Sequence, residues 1–134
     1  MIKIKIFNPV AGKNRISFTG FLVMQQMLRD YSIEITESDD FDYAFLGADD
    51  ILDKSIGLQE SIEYGLKNID KYASGGDCFI FDASDSTSLM GSYEVLEQSD
   101  AMFLFKNQLL KTREDYKKKT SFNKWFFGNG SDLD

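Results

Sequence analysis

Tyr43-Ala44-Phe45-Leu46 and Cys78-Phe79-Ile80-Phe81 stand at the two ends of a 39-residue stretch whose reading decides the fold. Both runs are short, apolar and uncharged, as strands buried on two faces should be. Between them, Leu58, Ile62, Leu66 and Ile69 recur at helical spacing, with Glu60, Glu63, Lys67 and Lys71 on the opposite side. Ser55 is placed to cap that helix, and Ser74-Gly75-Gly76-Asp77 to stop it. A buried strand, an amphipathic helix and a second buried strand make a parallel crossover unit, which is right-handed in nearly all known cases.

Working outward, the same alternation continues in both directions. Ile2, Ile4 and Ile6 point one way from a first strand, with Lys3 and Lys5 opposite, before Phe7-Asn8-Pro9 closes it. Residues 17–31 set Phe21, Met24, Leu28 and Tyr31 on one helical face, widened by Phe18, Leu22 and Met27. Ile33 and Ile35 form a short second strand. Beyond Phe81, Ser88 opens a helix with Leu89, Tyr93 and Leu96 aligned, and 101–105 is a fifth strand. Thr112-Arg113-Glu114-Asp115 forms a capping box for a last, mostly polar helix. The expected fold is α/β: a three-layer αβα sandwich with a mainly parallel sheet, Rossmann-like, with a flavodoxin-like strand order as the competitor. Its core is expected to include Ile4, Ile6, Phe21, Phe45, Leu46, Ile62, Leu66, Phe79, Phe81, Tyr93 and Phe103.

Composition narrows the chemistry. The 134 residues suit one domain, and no linker or repeat divides them. The chain holds no histidine, which removes Ser-His-Asp and Cys-His catalysis and every His-ligated metal or haem. Cys78 is the only cysteine, so no internal disulfide forms, and a cytoplasmic location is the expectation. A net charge of −7 disfavours nonspecific nucleic-acid binding. No apolar run approaches the ~20 residues of a membrane span. No cofactor and no metal are expected.

The charge is blocked along the chain. Residues 1–29 carry five bases and no acid, 34–53 carry eight acids and no base, and 106–124 carry seven bases against two acids. Folding either interleaves these blocks into a mixed surface or leaves an electropositive rim near both ends.

In an open parallel sheet, ligands bind beyond the C-terminal ends of the strands. The loops there are 8–15, 47–54, 82–88 and 106–108. Asn8, Gly12, Asp82, Ser84, Asp85, Ser86 and Lys106 are the candidate ligand-binding residues. Asn8-Pro9-Val10-Ala11-Gly12 resembles the Asn-Pro-x-x-Gly start of diacylglycerol-kinase-like lipid kinases, but Gly75-Gly76-Asp77 precedes a strand and runs into Cys78. Asp82-Ala83-Ser84-Asp85-Ser86-Thr87 resembles the haloacid-dehalogenase nucleophile loop, with its aspartates three apart rather than two. Lys106, with Asp49, Asp50 and Asp82, resembles the response-regulator set, but Asn8-Pro9 occupies the place of that family's acidic pair.

Over its whole length the chain resembles the N-terminal Rossmann-like half of GT-B glycosyltransferases. The likeness is carried by Ile2–Asn8, the Phe18–Tyr31 helix, and the later strands at Tyr43–Leu46, Cys78–Asp85 and Met102–Asn107. Phe81-Asp82-Ala83-Ser84-Asp85-Ser86-Thr87-Ser88-Leu89-Met90-Gly91 and Phe105-Lys106-Asn107-Gln108 are also similar to segments of glycosyltransferase-like proteins of marine microbes and their viruses. The resemblance implies an acceptor-side domain, inactive alone, with a nucleotide-sugar or glycan ligand and a second domain beyond residue 134. The alternative is a non-catalytic binding or oligomerisation module on the same fold. Phe122, Trp125, Phe126 and Phe127 crowd into six residues and are expected to mark a contact with another copy or a second domain.

Overall fold

A computed structural model describes residues 1–53, 55–73, 76–83 and 91–106. Among the described residues five strands form one sheet: β1 (Ile2–Ile6), β2 (Ile33–Ile35), β3 (Tyr43–Gly47), β4 (Asp77–Asp82) and β5 (Phe103–Lys106). Every pairing is parallel and the order is β2-β1-β3-β4-β5. That is the flavodoxin-like order; the classic Rossmann order would place a further strand outside β2.

Helices cover both faces. On one, α1 (Asn14–Val23) packs Phe18 onto Ile4, Ile6 and Phe45, and α2 (Gln25–Asp30) follows beside β2. On the other, α3 (Ala48–Ile51), α4 (Leu58–Tyr72) and α5 (Ser92–Gln98) enclose Ala44, Leu46, Cys78 and Ile80. The alternation along each strand explains the division. Phe45, Phe79 and Phe81 face α1, and the residues between them face α4 and α5. Among the described residues, no helix is long and apolar enough to cross a membrane.

Several local expectations need correction. The helix expected over 17–31 begins at Asn14 and is broken at Met24, whose backbone leaves helical torsions at φ −93° and ψ 13°. Its buried centre is therefore Phe18, while Met24, Met27 and Tyr31 lie exposed. Ser55 does not cap α4. Gly57 stands at that position, and the Ser55 hydroxyl donates to the Asp53 carboxylate instead. On α5 the buried positions are Ser92 and Val95, with Tyr93 and Leu96 only part-buried. Phe103 is 55% exposed, because among the described residues β5 is an edge strand, and its apolar residues read in sequence like those of a central one. The Thr112 capping box and the Phe122–Phe127 aromatics lie outside the described residues.

The lysines of β1 are explained by the connection that crosses them. β2 returns to β3 through residues 36–42 without a helix, over the face where Lys3 and Lys5 project. Lys3 pairs with Asp40 and Lys5 with Asp39. The hydrogen bond to Asp40 raises the Lys3 pKa, and the one from Lys5 lowers that of Asp39. Phe41 turns inward from this loop to pack edge-on against Phe7, at 6.1 Å between ring centres. Part of the acidic block is thus interleaved with the basic N-terminal one.

Candidate functional site

The chain leaves β1 toward β2 on one side and leaves β3 toward β4 on the other. The strand order therefore reverses between β1 and β3, the place beyond whose C-terminal strand ends open parallel sheets hold their ligands.

The β1 side of this switch point is a tight loop. Asn8 adopts φ 47° and Gly12 φ 51°, left-handed torsions that asparagine and glycine tolerate better than other residues. The Ala11 amide donates to the Asn8 carbonyl at 3.1 Å, and the Asn14 amide to the Ala11 carbonyl at 3.0 Å. These turns deliver the chain into α1 with Asn14, its first residue, only 3% exposed.

The β3 side supplies the partner. Asn14 Nδ2 donates to Asp50 Oδ2 at 2.7 Å and to the Asn8 carbonyl at 2.9 Å. Asn8 Nδ2 donates to Asp50 Oδ1 at 3.2 Å. One carboxylate thus joins two carboxamides from the other side of the switch point. Gly47, the last residue of β3, permits the approach: a Cβ there would lie 1.8 Å from Asn14 Oδ1. Its torsions, φ −75° and ψ 142°, suit any residue, so space and not conformation requires glycine.

Around this cluster, Lys13, Asn14, Ala48, Asp49, Phe81 and Ala83 line a narrow notch that brings the end of β4 to the same place. A wider, open depression of about 410 Å³ continues along Asp49, Leu52, Asp53, Ser55 and Tyr64. Asp53 accepts from the Ser55 amide at 2.9 Å and from its hydroxyl, and the two bonds hold its carboxyl below the usual range.

The residues expected from sequence fall into three groups. Asn8 belongs to the hydrogen-bonded cluster, and Gly12 to the same loop. Asp82 ends β4 at the same sheet edge, but its side chain lies on the α5 face, 4% exposed, where Ser92 Oγ donates to it at 3.1 Å. Lys106 ends β5 as the register partner of Asp82. Ser84, Asp85 and Ser86 lie outside the described residues. Sequence reasoning missed Asn14 and the pairing of Asp50 with it. The available signal was Gly47 directly after a buried strand, a mark of close backbone approach.

Cys78 sits away from this edge, 1% exposed near the start of β4. Burial, with Asp77 and Asp100 nearby, pushes its thiol up to about 11. It is a core residue and not a nucleophile. No family model, curated protein or solved structure matches the chain.

Proposed function

We propose that this chain is a glycosyltransferase-like, acceptor-side binding domain that takes a hydroxyl-rich ligand, a glycan, at the β1/β3 switch point and does not catalyse transfer by itself. The observation that supports this is the Asn8–Asn14–Asp50 cluster at the switch point. Carboxamides and a carboxylate offer paired donors and acceptors on planar groups, suited to adjacent sugar hydroxyls. Asn14 is buried and positions the other two. Asn8 and Asp50 are the more accessible members, and the Asp50 oxygens retain accepting capacity beyond the bonds they already make.

Charge separates the two ligand classes that the resemblance implies. A pyrophosphate in this notch would face Asp49 and Asp50 with Lys13 as the nearby cation, a balance unfavourable to an anion. A neutral glycan meets no such repulsion. The chain also carries no histidine to act as general base, in keeping with an acceptor-side role that depends on another domain for chemistry.

The test is an amide chemical-shift titration of the full chain with neutral oligosaccharides, with a nucleotide sugar and with a nucleoside diphosphate. The expected outcome is saturable shifts at Asn8, Gly12, Asn14 and Asp50 with an oligosaccharide, abolished by Asp50→Ala with the remaining spectrum preserved. Shifts confined to the nucleotide ligands would replace the acceptor assignment with a donor one. Silence at this edge with every ligand would overturn the proposal.

A further inference from the structure

We propose that the outer face of α1 and α2 pairs two copies of this chain, as an antiparallel helix contact about a two-fold axis. Phe18 and Phe21 turn inward onto the sheet, and the opposite face is exposed. There Ile16 is 63% exposed, Val23 78% and Met27 44%, with Met24 and Tyr31 exposed beside them. These residues follow one line. Lys13, Ile16, Gly20, Val23, Met27 and Asp30 succeed one another at alternating steps of three and four, the spacing of a seam between two paired helices. The seam runs on through the break at Met24. The Met24 amide still donates to the Gly20 carbonyl at 3.0 Å, and the Leu28 amide to the Met24 carbonyl at 2.9 Å. A continuous apolar stripe on an exposed helix face marks a contact surface.

Two observations select a second copy. The first is Gly20. A mid-helix glycine weakens its helix, and among the described residues a Cβ at Gly20 would meet nothing within 4 Å. Its torsions are helical, so neither conformation nor crowding within the chain requires glycine there. A second helix crossing at the middle of the seam does require it, because the missing side chain lets the two axes approach. A lipid surface would gain more from a larger apolar residue. The second observation is charge. Lys13 stands at one end of the seam and Asp30 at the other, and among the described residues neither forms an ion pair within the chain. A parallel pairing would set like charges together at both ends. The antiparallel two-fold sets Lys13 opposite the partner's Asp30 twice over, Ile16 opposite the partner's Met27 and Gly20 opposite the partner's Val23.

The experiment is sedimentation equilibrium of the full chain over a range of concentrations, with a mass that rises from one chain to two as the expected result. Val23→Glu, at the most exposed apolar position of the seam, should hold the mass at one chain with the far-ultraviolet circular dichroism unchanged. Gly20→Ala should weaken the dimer about tenfold, the cost of a modest overpacking. In the diluted, monomeric chain the same change should raise the unfolding midpoint, a combination that a glycine needed by its own fold would not give. Lys13→Glu and Asp30→Lys should each weaken the dimer alone and restore it when mixed in equal amounts, since every charged contact then again joins opposite signs. Should Val23→Glu fail to fold, the mixing experiment decides in its place. A single-chain mass at every concentration overturns the proposal. So does a dimer left unweakened by Val23→Glu and Gly20→Ala, which would assign the association to another surface. A single-chain mass together with binding to anionic phospholipid vesicles that Val23→Glu abolishes would assign the stripe to a lipid surface and overturn the paired contact.

Discussion

Gly47 and Cys78 show how much single positions determine here. At Gly47 the constraint is volume, since a methyl group would overlap the Asn14 side chain that bridges the switch point. Gly47→Ala should destabilise the chain by about 1–3 kcal/mol, the usual range for overpacking. Asn14→Ala removes the obstructing atoms, so in urea titrations the double variant should lose less than the sum of the two single ones. Strict additivity would mean that the two residues do not press on each other. Cys78 has the opposite character, a group whose burial suppresses its chemistry. Its thiol titrates near 11 in the fold against 9.0 for an unburied one. Between those values the unfolded chain has lost the proton and the native chain keeps it. Stability therefore falls as pH rises, by about 1.4 kcal/mol per pH unit from this group. The contribution is fully present below pH 9.0 and is lost on passing toward 11. Chemical denaturation of the native chain and of Cys78→Ala across that window should give different slopes against pH, with the native chain falling faster. Parallel slopes would contradict the shift.

At the scale of elements, α4 was legible and α1 was not fully so. α4 carries an unbroken apolar stripe with charged residues opposite, and Ile62 and Ile69 are indeed buried. The break at Met24 has no proline or glycine at the site to announce it. It follows from the way the two halves meet the sheet, α1 over β3 and β4 and α2 beside β2. Gly65 shows where propensity alone misleads. Mid-helix glycine ordinarily costs about 1 kcal/mol relative to alanine, so Gly65→Ala would be expected to stabilise. Here a Cβ would stand 2.8 Å from Val95 Cγ2 and 3.2 Å from the Ile51 carbonyl oxygen. Val95 is β-branched and fully buried, with little freedom to move. Gly65→Ala should therefore lower the unfolding midpoint. Adding Val95→Ala should recover part of the loss relative to the sum of the two changes. A rise in stability from Gly65→Ala alone would show that α4 and α5 are less closely packed than these distances require.

Across the whole molecule, the layering was legible because apolar strands and amphipathic helices alternate, whereas the strand order was not. The crossover rule sets handedness and leaves open on which side of β1 the next strand falls. That one choice creates the site. Asn14 and Asp50 are thirty-six residues apart and meet only because β1 and β3 are neighbours running in the same direction. Edge position was hidden for the same reason, as Phe103 shows. The resulting order implies an uneven distribution of stability. β3 is paired along its whole length with β4 and over Tyr43–Phe45 with β1, with Ala44 and Leu46 fully buried and four of its five residues buried. β2 has three residues, pairs among the described residues with β1 alone, and every one of its residues is half-buried. Backbone amides in such an edge open locally, whereas those in the centre exchange only when the whole domain unfolds. Native-state hydrogen exchange should therefore give Ala44, Phe45, Leu46 and Ile80 opening free energies close to the global value, and Ile33 to Ile35 values well below it. The contrast should narrow with added denaturant, as global unfolding overtakes local opening at the edge. Equal protection of β2 and β3 in the absence of denaturant would mean that the edge and the centre unfold as one unit, against the pairing described here.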